Sequence, residues 1–278
     1  MTIMETGIAL AIISALSQAV AHGIWKSGRD KLAVRALIGI VEATVAFPFL
    51  FLVQLPERGV WLWLAFSVGI HAVYQLVTIS AYKAADFSIA FPLARGVAPI
   101  LTTFMAWFIF SEQLSLGQIT GVLFLCLGLL LLAFRGRAQI EGTLWALAAG
   151  VLVTIYTVVD AAGLRVAKTA FTFIAWFFVM EGIFMTSIFV ALRGKRSIEL
   201  LKGEGLRGVL GGGVSVVGFG AALWAFRQSL LGPVAALRET SVMFAGLYAK
   251  FVLKETLTRI QVLSYALMTF GAILVAVK

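Results

Sequence analysis

Apolar runs of about 20 residues, separated by short polar connections, recur from one end of this 278-residue chain to the other. Each run is long enough to cross a hydrocarbon core ~30 Å thick. Within lipid every backbone amide and carbonyl must find a partner in the chain itself, which leaves only helices or a closed barrel. The strict alternation of barrel strands is absent, so the runs are helices. Composition agrees, because 61% hydrophobic residues, 13% charged residues and a mean hydropathy of +1.02 do not suit a soluble domain.

Ten helices are expected, at about 6–25, 34–54, 60–82, 88–110, 116–134, 142–164, 170–192, 207–228, 233–253 and 258–277. The longest polar stretch, RGKRSIELLKGEGLR, reads as the loop between the seventh and eighth helices. Pro99 falls inside the fourth helix and is expected to kink it. Six glycines between 208 and 220 crowd the eighth, a pattern that lets helix backbones approach closely in lipid.

The formal charge of +9 sits mostly in the connections, so it marks topology rather than a nucleic-acid surface. Fourteen lysines and arginines, Arg35 among them, follow odd-numbered helices, and five lie on the opposite side. That bias is expected to place the odd connections in the cytoplasm and both termini outside, as a multi-pass inner-membrane protein. Lys26, Arg29, Lys31 and Arg35 follow the first run rather than precede it, the reverse of a secretory signal, so that run reads as a retained helix. The single cysteine, Cys126, excludes a disulfide framework and a cysteine metal site. The Gly218-Phe219-Gly220 segment follows no strand and lacks a third glycine, so it is no dinucleotide loop. No cofactor or metal is expected. Zincin, GxGD-aspartyl and Asp-rich prenyl-transferase motifs are missing, which argues against an enzyme.

An internal repeat is visible. A shift of 143 aligns Arg95 with Arg238, Phe108 with Phe251, Glu112 with Glu255, Gln118 with Gln261 and Gly128 with Gly271; Glu42 and Glu181 correspond at a shift of 139. The halves divide as 1–135 and 136–278. Five helices per copy is an odd number, so the copies cross the membrane in opposite senses. Such an inverted repeat suits alternating access around a midplane site.

Ionisable groups inside membrane helices are costly unless paired or hydrated, and each is a functional suspect. Glu42 and Glu181, near the middle of the second and seventh helices, read either as partners of an arginine or as carboxylates that couple transport to a proton. Arg95 and Arg238 lie about two turns into helices that start on opposite faces, and read either as snorkelling or as lining a central cavity. Glu239 beside Arg238 has no counterpart in the first half. His71, Tyr74 and Gln75 share about one turn of the third helix, Tyr156 and Asp160 lie late in the sixth, and Trp107 is a candidate to shape a cavity wall. The third, fourth, eighth and ninth helices are expected to line that cavity, with the almost wholly apolar fifth and tenth at the periphery.

The segments AYKAADFSIAFPLARGVAP, YTVVDAAGLR and AALRETSVMFA, with the glutamate turns SEQLS and KETLT, resemble motifs of the EamA branch of the drug/metabolite transporter superfamily. The resemblance covers essentially the whole chain. It implies ten helices and a metabolite permease or exporter, in a bacterial subgroup some of whose members are associated with phosphonate utilisation. The subgroup's first-helix pattern His-Ala-x-Trp-Asn falls here on Gln18, Ala19, Ala21 and His22, so its histidine, tryptophan and asparagine are replaced. The expected substrate is a small polar metabolite, amino-acid-like or bearing a carboxylate or phosphonate, with protons and membrane lipid as the other partners. Export of hydrophobic organic cations and flipping of a lipid or lipid-linked sugar are the alternatives.

Overall fold

The computed structural model describes residues 3–84, 87–133, 140–244, 246 and 258–277. Every regular element among them is helical: α1 (Ile3–Ser27), α2 (Lys31–Ala46), α3 (Arg58–Ala84), α4 (Phe87–Phe110), α5 (Leu116–Ala133), α6 (Ile140–Val166), α7 (Ala170–Arg193), α8 (Ser197–Gln228), α9 (Leu231–Arg238) and α10 (Arg259–Ala276). Short 3-10 turns, Phe47–Phe51 and Gly194–Arg196, follow α2 and α7. Seven described helical stretches are long and apolar enough to cross a bilayer, one of them comprising α7 and α8 in succession; Leu116–Leu132 is apolar but shorter. Large apolar side chains such as Phe108, 71% exposed, cover the outer surface, which is what a lipid-facing wall requires.

Local chemistry starts these helices. Asp30 caps α2 by accepting from the Leu32 and Ala33 amides, and Thr169 caps α7 by accepting from Thr172. Ser115 and Gln118 exchange backbone-to-side-chain bonds at the start of α5, and Thr258 and Gln261 form the equivalent box at α10. The repeated glutamines at 118 and 261 are therefore helix-start signals.

Helix packing obeys the repeat. Under the exchange of α1–α5 with α6–α10, the α2/α7, α4/α9 and α5/α10 contacts map onto themselves. The α1/α8 contact maps onto α3/α6, α4/α6 onto α1/α9, and α2/α8 onto α3/α7. The three self-mapped pairs therefore lie on the pseudo-two-fold axis between the inverted repeats. Glycines set their spacing. A β-carbon on Gly121 would sit 2.7 Å from the Gly271 carbonyl, and one on Gly271 2.6 Å from that of Gly121, so α5 and α10 touch backbone to backbone. In the α2/α7 pair, Gly39 meets Gly182, and the two are again 143 residues apart.

Several expectations need correction. The second helix ends at Ala46, where Pro48 draws the chain into the 3-10 turn, instead of running to 54. The polar stretch after α7 is not a loop: a 3-10 turn leads directly into a 32-residue α8 that begins ten residues earlier than its apolar run. That extension is held by Glu204, which accepts from the Arg29 and Asp30 amides and pairs with Arg207, while Arg193 pairs with Asp30. Arg35, read as a connection charge, lies inside α2 and is buried. The ninth helix breaks after Arg238 into a turn at Glu239–Thr240, and helical backbone resumes at Ser241. Beyond 241–244 and 246, its stretch to 253, with Lys250 and Phe251, lies outside the described residues, as do 254–257 of the KETLT turn. Pro99 does fall inside α4, which also carries Pro92.

Candidate functional site

Between the α2/α7 pair and the α4/α9 pair lies a cavity that offers about 110 Å³ to the centre of a water-sized sphere. A single water needs ~10–15 Å³ by that measure, so the space suits a solute of roughly ten heavy atoms. Side chains from α1, α2, α3, α4, α6, α7, α8 and α9 line it, and none from α5 or α10 does among the described residues. Trp25, Tyr156, Phe177 and Phe219 supply the aromatic part of the wall, beside the aliphatic Ile38 and Val214.

On the α4/α9 side sit the two repeat-related arginines. Both are buried, so neither snorkels to a surface. Arg95 donates to Glu239 at 3.2 Å and to the Tyr74 hydroxyl at 3.1 Å, and lies 3.3 Å from His22 Nε2. His22 Nδ1 in turn meets the Tyr82 hydroxyl at 3.1 Å. Arg238 donates from Nε to Ser14 and from a terminal nitrogen to Gln18 Oε1, each at 3.1 Å, and its guanidinium lies over the Phe219 and Phe226 rings. Among the described residues Arg238 makes no ion pair with a carboxylate. Gln18 also donates to Ser241, just beyond the break in the ninth helix. Two arginines and one carboxylate leave this wall with a net charge of +1.

The α2/α7 side has the opposite balance. Arg35 is gripped by two carboxylates, Glu42 at 3.1 Å and Glu181 at 2.5 Å. Gln75 donates to Glu181 at 2.6 Å, and Ser215 donates to Glu42 at 2.5 Å. Arg35 and Glu42 are seven residues apart, two helical turns, so both face the same way from α2. One arginine between two carboxylates leaves this wall at −1.

Between the two walls, the His71 ring packs against Tyr156 with centroids 4.0 Å apart and planes tilted by 31°, and is bounded by Phe177 and Phe219. Its Nε2 meets Asp160 at 3.1 Å, and Ser67 donates to the other Asp160 oxygen at 2.5 Å.

The structure therefore brings Arg95, Arg238, His71, Tyr74, Gln75, Tyr156 and Glu42 to the cavity wall. Glu181 and Glu239 stand directly behind it as ion-pair partners of Arg35 and Arg95, and Asp160 as the hydrogen-bond partner of His71. Trp107 does not belong with them: it is 53% exposed on the outside of α4, in a groove shared with α5. Sequence reasoning missed Arg35, His22, Gln18 and Ser14 as wall residues. The Arg35/Glu42 spacing was a usable signal, as was the replacement of the first-helix pattern at Gln18 and His22, which both face the cavity.

The wall residues of the first repeat lie from mid-helix onward in α3 and in the first half of α4, while Tyr156 lies past the middle of α6 and Phe177 in the first third of α7, so the cavity spans the middle of the bundle. Glu112 ties together the helix ends on the face of the α4–α5 connection. After α4 the chain reverses through Ser111, at a φ of 54°. Glu112 then pairs with Arg165 at 2.5 Å and accepts the Leu231 amide at 2.9 Å, which ties together the ends of α4 and α6 and the start of α9. Arg165 also lies 3.7 Å over the Phe110 ring, and Arg227 donates to the Leu164 carbonyl.

The EamA-like transporter family matches the chain twice, over residues 5–134 and residues 140–277. No curated protein matches it. A crystal structure of another protein has a TM-score of 0.77 to this chain at 19% identity. That likeness covers 98% of this chain and 97% of the other, and at such identity it speaks for the fold alone.

Proposed function

The chain belongs to the EamA-like transporter family, within the drug/metabolite transporter superfamily, and from that premise we propose that it carries a small zwitterionic metabolite by alternating access between its inverted repeats. The solute bears a carboxylate or phosphonate at one end and an ammonium at the other. The observation that carries this reading is the separation of charge across one small cavity. The α4/α9 wall holds a surplus guanidinium, Arg238, whose described hydrogen-bond acceptors are neutral. The α2/α7 wall holds a surplus carboxylate. A guanidinium binds carboxylate and phosphonate through parallel, charge-assisted hydrogen bonds, and a carboxylate wall suits an ammonium. Alternating access is supported by the inverted repeat of helix contacts around the cavity and by the Glu112–Arg165 pair, which ties helix ends together on one face.

Counterflow in liposomes tests the reading. Protein-containing vesicles loaded with an amino acid or an aminophosphonate should take up the same labelled solute faster than empty vesicles. Exchange of hydrophobic cations alone, or movement of labelled lipid alone, would overturn it.

The membrane is the bacterial inner membrane, with both termini outside the cytoplasm. Moving Arg35 into α2 leaves thirteen connection charges against five, so the positive-inside bias persists. A reporter active only in the periplasm, fused after Lys278, should be active; a cytoplasmic reporter signal at that position would reverse the orientation.

A further inference from the structure

Glu181 presents two chemically different oxygens. Oε1 accepts from Arg35 and from Gln75 Nε2. Oε2 is buried and has no hydrogen-bond partner among the described residues, in a side chain that is 1% exposed. The same is true of the other end of its neighbour: Gln75 Oε1 is buried without a partner among the described residues. Two unpartnered acceptors in one bonded pair are what remains when a carboxylic acid–amide ring lacks a single hydrogen. The Nε2–H···Oε1 half of that ring is present at 2.6 Å. A hydrogen on Glu181 Oε2, donated to Gln75 Oε1, would complete the other half.

We propose that Glu181 is the proton-binding site of this transporter, held as a carboxylic acid against the Gln75 amide. Binding forms one O–H bond with a proton drawn from cavity water, and the charge of the Arg35–Glu42–Glu181 cluster goes from −1 to zero. Arg35 then pairs with Glu42 alone. Glu42 is the poorer site, because Ser215 already donates to its Oε1 and both terminal nitrogens of Arg35 donate to its Oε2. Arg35 holds the two carboxylates on a single nitrogen, within 3.1 Å of each, so both ionised side chains repel across a short gap.

The groups facing this cluster from the surrounding helices support the balance. On α3, His71 lies one turn before Gln75 and is committed to Asp160 of α6. On α1, His22 is held by Tyr82 and Arg95. α8 contributes the neutral Ser215. No second cation reaches Glu42 or Glu181 among the described residues. Loss of the proton therefore leaves one negative charge on the cavity wall, where a substrate ammonium can replace it; that last step rests on the zwitterion reading above.

Infrared difference spectroscopy of the purified protein in lipid, titrated through neutral pH without any solute, tests the site. The wild type should show the carbonyl stretch of one protonated carboxylic acid that titrates apart from the surface carboxylates. Glu181→Gln should lose that band. Gln75→Leu should keep it but move it to higher wavenumber, since the carbonyl loses its amide donor. A wild type with no such band, or an unchanged band in Glu181→Gln, would overturn the assignment. Absence of the band in the wild type overturns the site even if the variants fail to fold. Because no solute is present, a failed counterflow leaves this result standing, and a failed titration leaves the substrate reading standing.

Discussion

Replacing Gly182 by valine should abolish stable folding. Gly182 and Gly39 are repeat-related and meet where α2 crosses α7 on the pseudo-two-fold axis. A β-carbon on Gly182 would overlap the Gly39 carbonyl and lie 2.8 Å from the Ala43 β-carbon. The obstacle is backbone, which cannot rotate aside as a flexible side chain would. The helices must therefore separate, and the neighbouring Glu181 moves with them. Overpacking costs about 1–3 kcal/mol, and breaking a buried ion pair about 3–5 kcal/mol. Together these rival the ~5–15 kcal/mol that holds a typical protein folded. In thermal unfolding of detergent-solubilised protein, Gly182→Val should yield little monodisperse material and a greatly lowered Tm. Gly213→Val, where a β-carbon meets nothing within 4 Å, should behave like wild type. A Gly182→Val variant as stable as wild type would show that the crossing is not as close as described.

Arg238→Gln should remove most transport while leaving the protein folded. The two arginines are equivalent in the repeat but not in their surroundings. Arg95 is paired with Glu239, so Arg95→Gln leaves a buried carboxylate without its cation. The cost is about 3–5 kcal/mol, and stability should fall with activity. Arg238 bonds to the neutral Ser14 and Gln18, and glutamine can still donate to one of them. What disappears is a charge-assisted bond to the solute, worth about 1.5–3 kcal/mol. At 1.4 kcal/mol per decade that is roughly a 10–100-fold loss in solute affinity. Flux measured at low solute concentration, beside the Tm, separates the two variants. Equal flux in Arg238→Gln and wild type would remove Arg238 from the binding site.

The hydrophobic runs made the helices and their inverted duplication readable, because lipid forces each run to satisfy its own backbone. Polar residues stranded in those runs, from Glu42 to Arg238, marked the cavity for the same reason. Arg35 escaped notice because it lies close behind the KSGRDK connection, where a basic residue ordinarily marks the cytoplasmic face. Only its position two turns before Glu42 distinguishes it. The early start of α8 was hidden by its charged first turns, which stand on Arg29 and Asp30 through Glu204, a tertiary contact that no periodicity reveals. The break after Arg238 was hidden as well: the sequence there, RETSV, carries no glycine or proline, and the turn is stabilised in part by Gln18 reaching Ser241 from α1. Trp107 was suspected for its size alone, and a large aromatic ring on α4 packs equally well toward lipid.

The central claim is that opposite walls of one cavity hold the two ends of a zwitterion. Competition in the counterflow assay tests it most directly. An amino acid or aminophosphonate should inhibit exchange of the labelled zwitterion, whereas its decarboxylated amine and its deaminated acid, matched in size, should each compete at least ~10-fold more weakly, since each forfeits one charge-assisted contact. An amine that competes as well as the intact zwitterion would contradict the account and return the site to a cation carrier.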